Sequence, residues 1–150
     1  PIKSSAASDV YKRQPDSVQI ALKKMYPTAA GIAWSQDKAY YVADFVMNGF
    51  DTRVWFTPDA EWVMKQTDWE TLDEVPAAVF NAFAASEFSD GVVQNVTWVQ
   101  FPEWQPIVAI QVGKPNMQMK YQILFTPKGE ILRQQNITNA YNTLGASTFL

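Results

Sequence analysis

The hexapeptide Phe56-Thr57-Pro58-Asp59-Ala60-Glu61 returns as Phe125-Thr126-Pro127-Lys128-Gly129-Glu130, 69 positions further on. A repeated turn of this kind constrains the chain strongly, because whatever surrounds the first copy is expected around the second. Gln66 falls on Gln135 at the same offset, and Ala33-Trp34 falls on Thr97-Trp98 at an offset of 64. The second copy therefore carries a few extra residues around Pro102 to Gln105 or in the following hairpin.

Each copy reads as a helix followed by four strands. Pro15-Asp16-Ser17 starts a helix whose apolar positions are Val18, Ile20, Ala21, Leu22 and Met25, and Pro27 ends it near Tyr26. Gly31 to Gln36 reads as a short strand and Lys38 to Asn48, rich in aromatic and β-branched residues, as a long one. Asn48-Gly49 is a hairpin signal. Phe50 to Phe56 and Glu61 to Gln66 complete the set around the Thr57-Pro58-Asp59-Ala60 turn. The pattern then restarts: Leu72-Asp73-Glu74-Val75-Pro76 opens a second helix with apolar Val79, Phe80, Phe83, Ala84 and Phe88. A unit of about 60 residues is marginal alone, whereas two sharing one sheet bury both helices. The expected fold is α+β, with repeats 15–69 and 70–137 forming one domain on a continuous antiparallel sheet, helices on one face, and a tail at 138–150.

Strand side chains alternate between faces, so the copies can be compared phase by phase. Phe50, Thr52, Val54 and Phe56 match Met119, Tyr121, Ile123 and Phe125, the phase expected to face the helices. The opposite phase is polar in Asp51, Arg53, Lys120 and Gln122 but ends on Trp55 and Leu124. In the fourth strand of each copy, Trp62 with Ile131 and Met64 with Arg133 share a phase. Simple alternation therefore assembles Trp55, Trp62, Met64, Leu124, Ile131 and Arg133 on one open sheet surface, apolar enough to be a binding site. If the tail from Thr138 to Leu150 covers that face, the same residues are core. Trp34 and Trp98, at matching places, are expected to be packing anchors.

The chain has neither cysteine nor histidine, which removes disulfides, thiolate nucleophiles, the commonest general base and the commonest metal ligand. No phosphate loop, dinucleotide fingerprint, nucleophile elbow or metal-spaced cluster is present. No catalytic, metal-binding or cofactor-binding residue is expected. The acids Asp68, Glu70, Asp73 and Glu74 precede the second helix, where unpaired amides and the dipole stabilise them. They lack the loop glycine and ligand alternation of an EF-hand. The formal charge is −3 without a basic cluster, which argues against nucleic acid as partner. No apolar run approaches the roughly 18 residues of a membrane span.

The repeated helix and four-stranded meander, Tyr26-Pro27, Trp34 and the two Phe-Thr-Pro turns together resemble the PepSY-like periplasmic proteins of Gram-negative bacteria, a group also described as β-lactamase-inhibitor-protein-like. The resemblance covers Pro15 to about Ile137. It implies an α+β sandwich with two helices on one side of a long curved antiparallel sheet, a periplasmic or secreted protein without enzymatic activity, and a concave sheet face that grips a protein partner. The absence of cysteine and of any inhibitory contact motif means that β-lactamase inhibition is not implied. The expected function is a monomeric, non-enzymatic module that holds a protein or peptide of the cell envelope. The alternative is a small-molecule binder or envelope sensor with an aromatic pocket.

Ser4 to Gln14 reads SSAASDVYKRQ, which is the translation of a sequencing-library adapter ending in a transposon end. Pro1 to Gln14 is therefore expected to be non-native and disordered, with any signal peptide lost upstream of it. From Pro15 onward the formal charge is −5.

Overall fold

The computed structural model describes residues 14–150; the adapter-like segment, apart from Gln14, lies outside the described residues. Helix α1 spans Asp16–Met25, placed between Pro15, which has an extended backbone, and Tyr26, beyond which Pro27 prevents continuation. Four strands follow: β1 (Ala33–Asp37), β2 (Tyr40–Met47), β3 (Phe50–Phe56) and β4 (Trp62–Asp68). A 3-10 turn at Leu72–Glu74, capped by the Thr71 hydroxyl accepting from the Asp73 N–H, leads to α2 (Ala77–Ala84). Then come β5 (Val92–Gln100), β6 (Ile107–Lys114), β7 (Met119–Phe125) and β8 (Ile131–Asn136), and a final turn of helix, α3 (Ala146–Phe149).

All eight strands form one open antiparallel sheet in the order β1 to β8, so every strand pairs with its neighbour in sequence. The local chemistry explains the meander. Asn48 and Gly49 both take positive φ, at 53° and 83°, which is the two-residue hairpin geometry that matches strand twist. In both Phe-Thr-Pro hairpins the threonine closes the loop twice. The Thr57 N–H donates to the Glu61 carbonyl (2.9 Å) and the Thr57 hydroxyl accepts from the Glu61 N–H (3.2 Å). The Thr126 N–H donates to the Glu130 carbonyl (2.8 Å) and its hydroxyl accepts from the Glu130 N–H (3.2 Å).

Both helices lie on one face. Val18 and Leu22 of α1 pack on Ala43, Phe45, Val54 and Phe56, with Trp34 half-buried at the margin. Val79 and Phe83 of α2 pack on Val96, Ile110, Ile123 and Phe125, with Trp98 stacked on Trp69 at 5.1 Å. Ile20 and Phe80, counted with the apolar positions of the helices, are exposed instead. Two residues on from Val18 and one on from Val79, they point away from the buried stripe.

The strand after each turn departs from simple alternation. Trp55 pairs with Met64 but Phe56 pairs with Trp62, so Val63 is an extra residue in a β-bulge. Likewise Leu124 pairs with Arg133 and Phe125 with Ile131, leaving Leu132 extra. The bulge shifts the phase by one. Trp62 and Ile131 therefore lie on the helix face beside Phe56 and Phe125, and Met64 and Arg133 on the opposite face beside Trp55 and Leu124. The single surface holding all six residues, expected from alternation, is corrected to two.

The two turns also differ in how closely a helix approaches them. Ala60 and Gly129 occupy matching left-handed positions, at φ 68° and 86°. A Cβ on Gly129 would lie 2.5 Å from the Ala78 carbonyl oxygen of α2, which is fixed backbone. Gly129→Ala should therefore destabilise the fold by more than the roughly 1–2 kcal/mol of a left-handed alanine, while Ala60→Gly should stabilise it by about 1 kcal/mol. Urea denaturation of the two variants checks both signs.

Candidate functional site

The face away from the helices is covered. After β8, Ile137 is buried, residues 138–142 run exposed, and residues 143–149 then cross the strands as a strap. The sheet holds it with side-chain amides. Gln122 Nε2 donates to the Thr143 carbonyl (2.9 Å), Gln111 Nε2 to the Thr143 hydroxyl (3.0 Å) and Gln66 Nε2 to the Leu144 carbonyl (2.5 Å). Gln111 also donates to Gln122 Oε1 at 2.8 Å. At the far edge, Asp37 Oδ2 accepts from the Ala146 N–H (2.8 Å) and from Trp55 Nε1 (3.0 Å). Phe149 finishes the strap against Phe101, ring centroids 6.2 Å apart, beside a small core of Val42, Trp55, Met64 and Val99.

These contacts place the six residues singled out by sequence. Trp55, Met64 and Leu124 are 2%, 0% and 5% exposed, so their expected exposure on an open face is corrected: the strap and neighbouring side chains bury them. Trp62 is half-buried on the helix face, while Ile131 (43% exposed) and Arg133 stay accessible on opposite faces of the edge strand.

The accessible apolar surface lies elsewhere, in a groove of about 1300 Å³ at the end of the sheet that carries the turns. Ile20 of α1, Trp62, Phe101, Trp104, Leu132 and Phe149 line it, with Lys24, Glu61 and Glu103 among the lining charges. Trp104 is 79% exposed, and Ile20 and Leu132 are also exposed. Trp104 sits in the 101–106 connection between β5 and β6, which is longer than the connection between β1 and β2. The extra residues expected around Pro102 to Gln105 or in the following hairpin were a sequence signal for a long connection and not for a groove; Ile20 and Leu132 carried no signal, because their exposure follows from helix rotation and a bulge.

Among the described residues one acidic group stands out. The carboxylates of Asp51, Asp68 and Glu70 lie within 4.8 Å of one another. Burial holds the Asp68 carboxyl above its ordinary value of 3.8, reinforced by the charges of Glu70 and Asp51 and opposed by the Glu70 N–H bond and Arg53. The folded state thus binds this proton more tightly than the unfolded chain, and stability falls as pH rises through the raised value. Asp68→Asn, which keeps an acceptor for the Glu70 N–H, should raise the melting temperature at pH 7. The gain should disappear below pH 3.8, as a melting series over pH would show.

Asp37 is the polar pivot of the covered face. Asp37→Ala leaves the Trp55 indole N–H and the Ala146 N–H without an acceptor, at a cost of about 1–3 kcal/mol for a buried donor. Denaturant unfolding should show that loss, and hydrogen exchange should show it concentrated in 143–150.

No protein-family profile and no curated protein matches the chain. Solved structures do. A crystal structure described as one of the "putative periplasmic proteins", from Bacteroides eggerthii DSM 20697, is 98% identical, with a TM-score of 0.91 over 92% of this chain and 99% of the other. A DUF2874 family protein from Bacteroides uniformis ATCC 8492 is 72% identical, with a TM-score of 0.89 over 91% and 99%. A BLIP-like protein from Bacteroides fragilis NCTC 9343 is 32% identical, with a TM-score of 0.80 over 87% and 92%.

Proposed function

The chain belongs to the DUF2874 family, and from that premise we propose that it is a non-enzymatic periplasmic module that binds a protein or peptide. The observation that carries this reading is the groove with Trp104 standing at its rim. An exposed tryptophan beside Ile20 and Leu132 is the composition of an interface centre, where aromatic residues are enriched and charges sparse. The groove's volume exceeds the roughly 300–1000 Å³ of small-molecule sites, which favours a macromolecular occupant over the small-molecule alternative. A periplasmic setting is supported by the description of the Bacteroides eggerthii structure, and among the described residues no helix is long and apolar enough to cross a membrane. The BLIP-like relative supports a protein partner.

The absence of histidine and cysteine from the chain supports a non-catalytic role. The same reading takes residues 15–69 and 70–137 as tandem copies of one PepSY-like unit. Its support is that the threonine-closed hairpin and the bulge after it recur 69 positions apart.

A photo-crosslinking residue placed at position 104, with the chain exported to a Bacteroides periplasm, should give a discrete protein adduct on irradiation. Ile20→Asp combined with Leu132→Asp should lower that adduct about tenfold or more, since each puts a charge into the apolar contact. An adduct insensitive to those changes, or none at all, overturns the reading.

A further inference from the structure

Two elements far apart in sequence line the groove, and each brings to it one exposed apolar side chain and one charge. Helix α1 supplies Ile20 and Lys24, one turn apart on the same face, with the small residues Ser17 and Ala21 completing the stripe. The 101–106 connection supplies Trp104 and Glu103. Of the six tryptophans, five are buried or half-buried and Trp104 alone is exposed. The two charges are of opposite sign, and neither is used within the chain. Among the described residues the one salt bridge joins Lys114 to Asp90 at 3.6 Å, at the other end of β6.

We propose that the occupant of the groove is a second copy of this chain, docked about a two-fold axis that passes through the groove. Such an axis exchanges the two lining elements. The second copy's Trp104 is seated on Ile20, with Ser17 and Ala21 leaving room for the ring, and its Glu103 lies beside Lys24. The same two contacts are made in the other direction. A surface complements itself in this way only if it carries both members of each pair, as the groove does: a large ring with an apolar seat, and a base with an acid. The proposal names the occupant of the groove, and so rests on the reading of that groove as a protein-binding site. It replaces the monomer expected from the sequence with a reversible dimer, in which the tryptophans anchor and the rim charges set the orientation.

Sedimentation velocity of the purified full chain over a concentration series should show a monomer–dimer equilibrium with a Kd on the order of 10–100 µM, as a small interface gives. Trp104→Ser should weaken it at least about tenfold. The circular dichroism spectrum should not change, since that side chain is 79% exposed in the single copy. Lys24→Glu alone and Glu103→Lys alone should each weaken self-association about tenfold, because each sets like charges together twice in the dimer. An equimolar mixture of those two variants should associate at close to the parent's strength, because every charge contact in the mixed dimer is then between opposite signs. A parent chain that stays monomeric throughout the series, a dimer indifferent to Trp104→Ser, or a mixture that associates no better than its components overturns the proposal. The photo-crosslinked adduct at position 104 separates that failure from failure of the groove reading. An adduct of twice the chain's mass supports the second copy. An adduct with a different protein overturns the second copy and leaves the groove a protein-binding site, and no adduct overturns both.

Discussion

A single open sheet has two faces to keep from water, and two short helices can cover only one of them. Everything distinctive in this protein follows from that constraint. α1 and α2 take the face carrying Phe56, Phe125, Ile110 and Ile123, each helix serving one half of the sheet. The other face is half polar, with Gln66, Gln111 and Gln122 buried among its strands. A purely apolar cover would leave those amides without partners, at a cost of about 1–3 kcal/mol each. A peptide backbone supplies carbonyls, and the strap supplies them here. Among the described residues no buried side-chain nitrogen or oxygen is left without a partner.

The strap also joins what the meander leaves apart. β1 and β8 are opposite edges of the sheet. A chain segment that leaves β8, crosses Gln122, Gln111 and Gln66, and ends on Asp37 of β1 ties the halves together independently of the β4–β5 pairing. Trp55 is fixed by the same carboxylate that fixes Ala146, so its indole reports on strap docking.

Much of the architecture was legible in the sequence because it rests on local chemistry. Asn48-Gly49, the Thr-Pro turns and Pro27 mark chain reversals and a helix end through backbone geometry that few other residues adopt. The helix-facing phase Thr52, Val54 and Phe56 was legible because alternation holds along β3. Alternation failed one turn later. Val63 and Leu132 are inserted by bulges, and nothing in Glu61-Trp62-Val63-Met64 distinguishes an inserted residue from a paired one. The strap was legible only as the alternative that the tail from Thr138 to Leu150 covers this face: Asn142-Thr143-Leu144-Gly145 has no period, since its place is set by partners scattered over β4, β6, β7 and the end of β1. Of the candidate groove, the sequence reading held Trp62 and the extra residues around Pro102 to Gln105; their assembly with Ile20 and Leu132 is a product of tertiary arrangement.

The distance in sequence between Asp37 and Ala146, 109 residues, has a temporal consequence. Every strand pairing joins neighbours, so the sheet can assemble progressively as the chain is delivered, each hairpin closing a short loop at small entropic cost. The strap alone must wait for the last residues. During synthesis or translocation there is thus an interval in which the sheet exists and its amide row faces solvent. The chain's own end, arriving last, meets a surface already shaped to receive it.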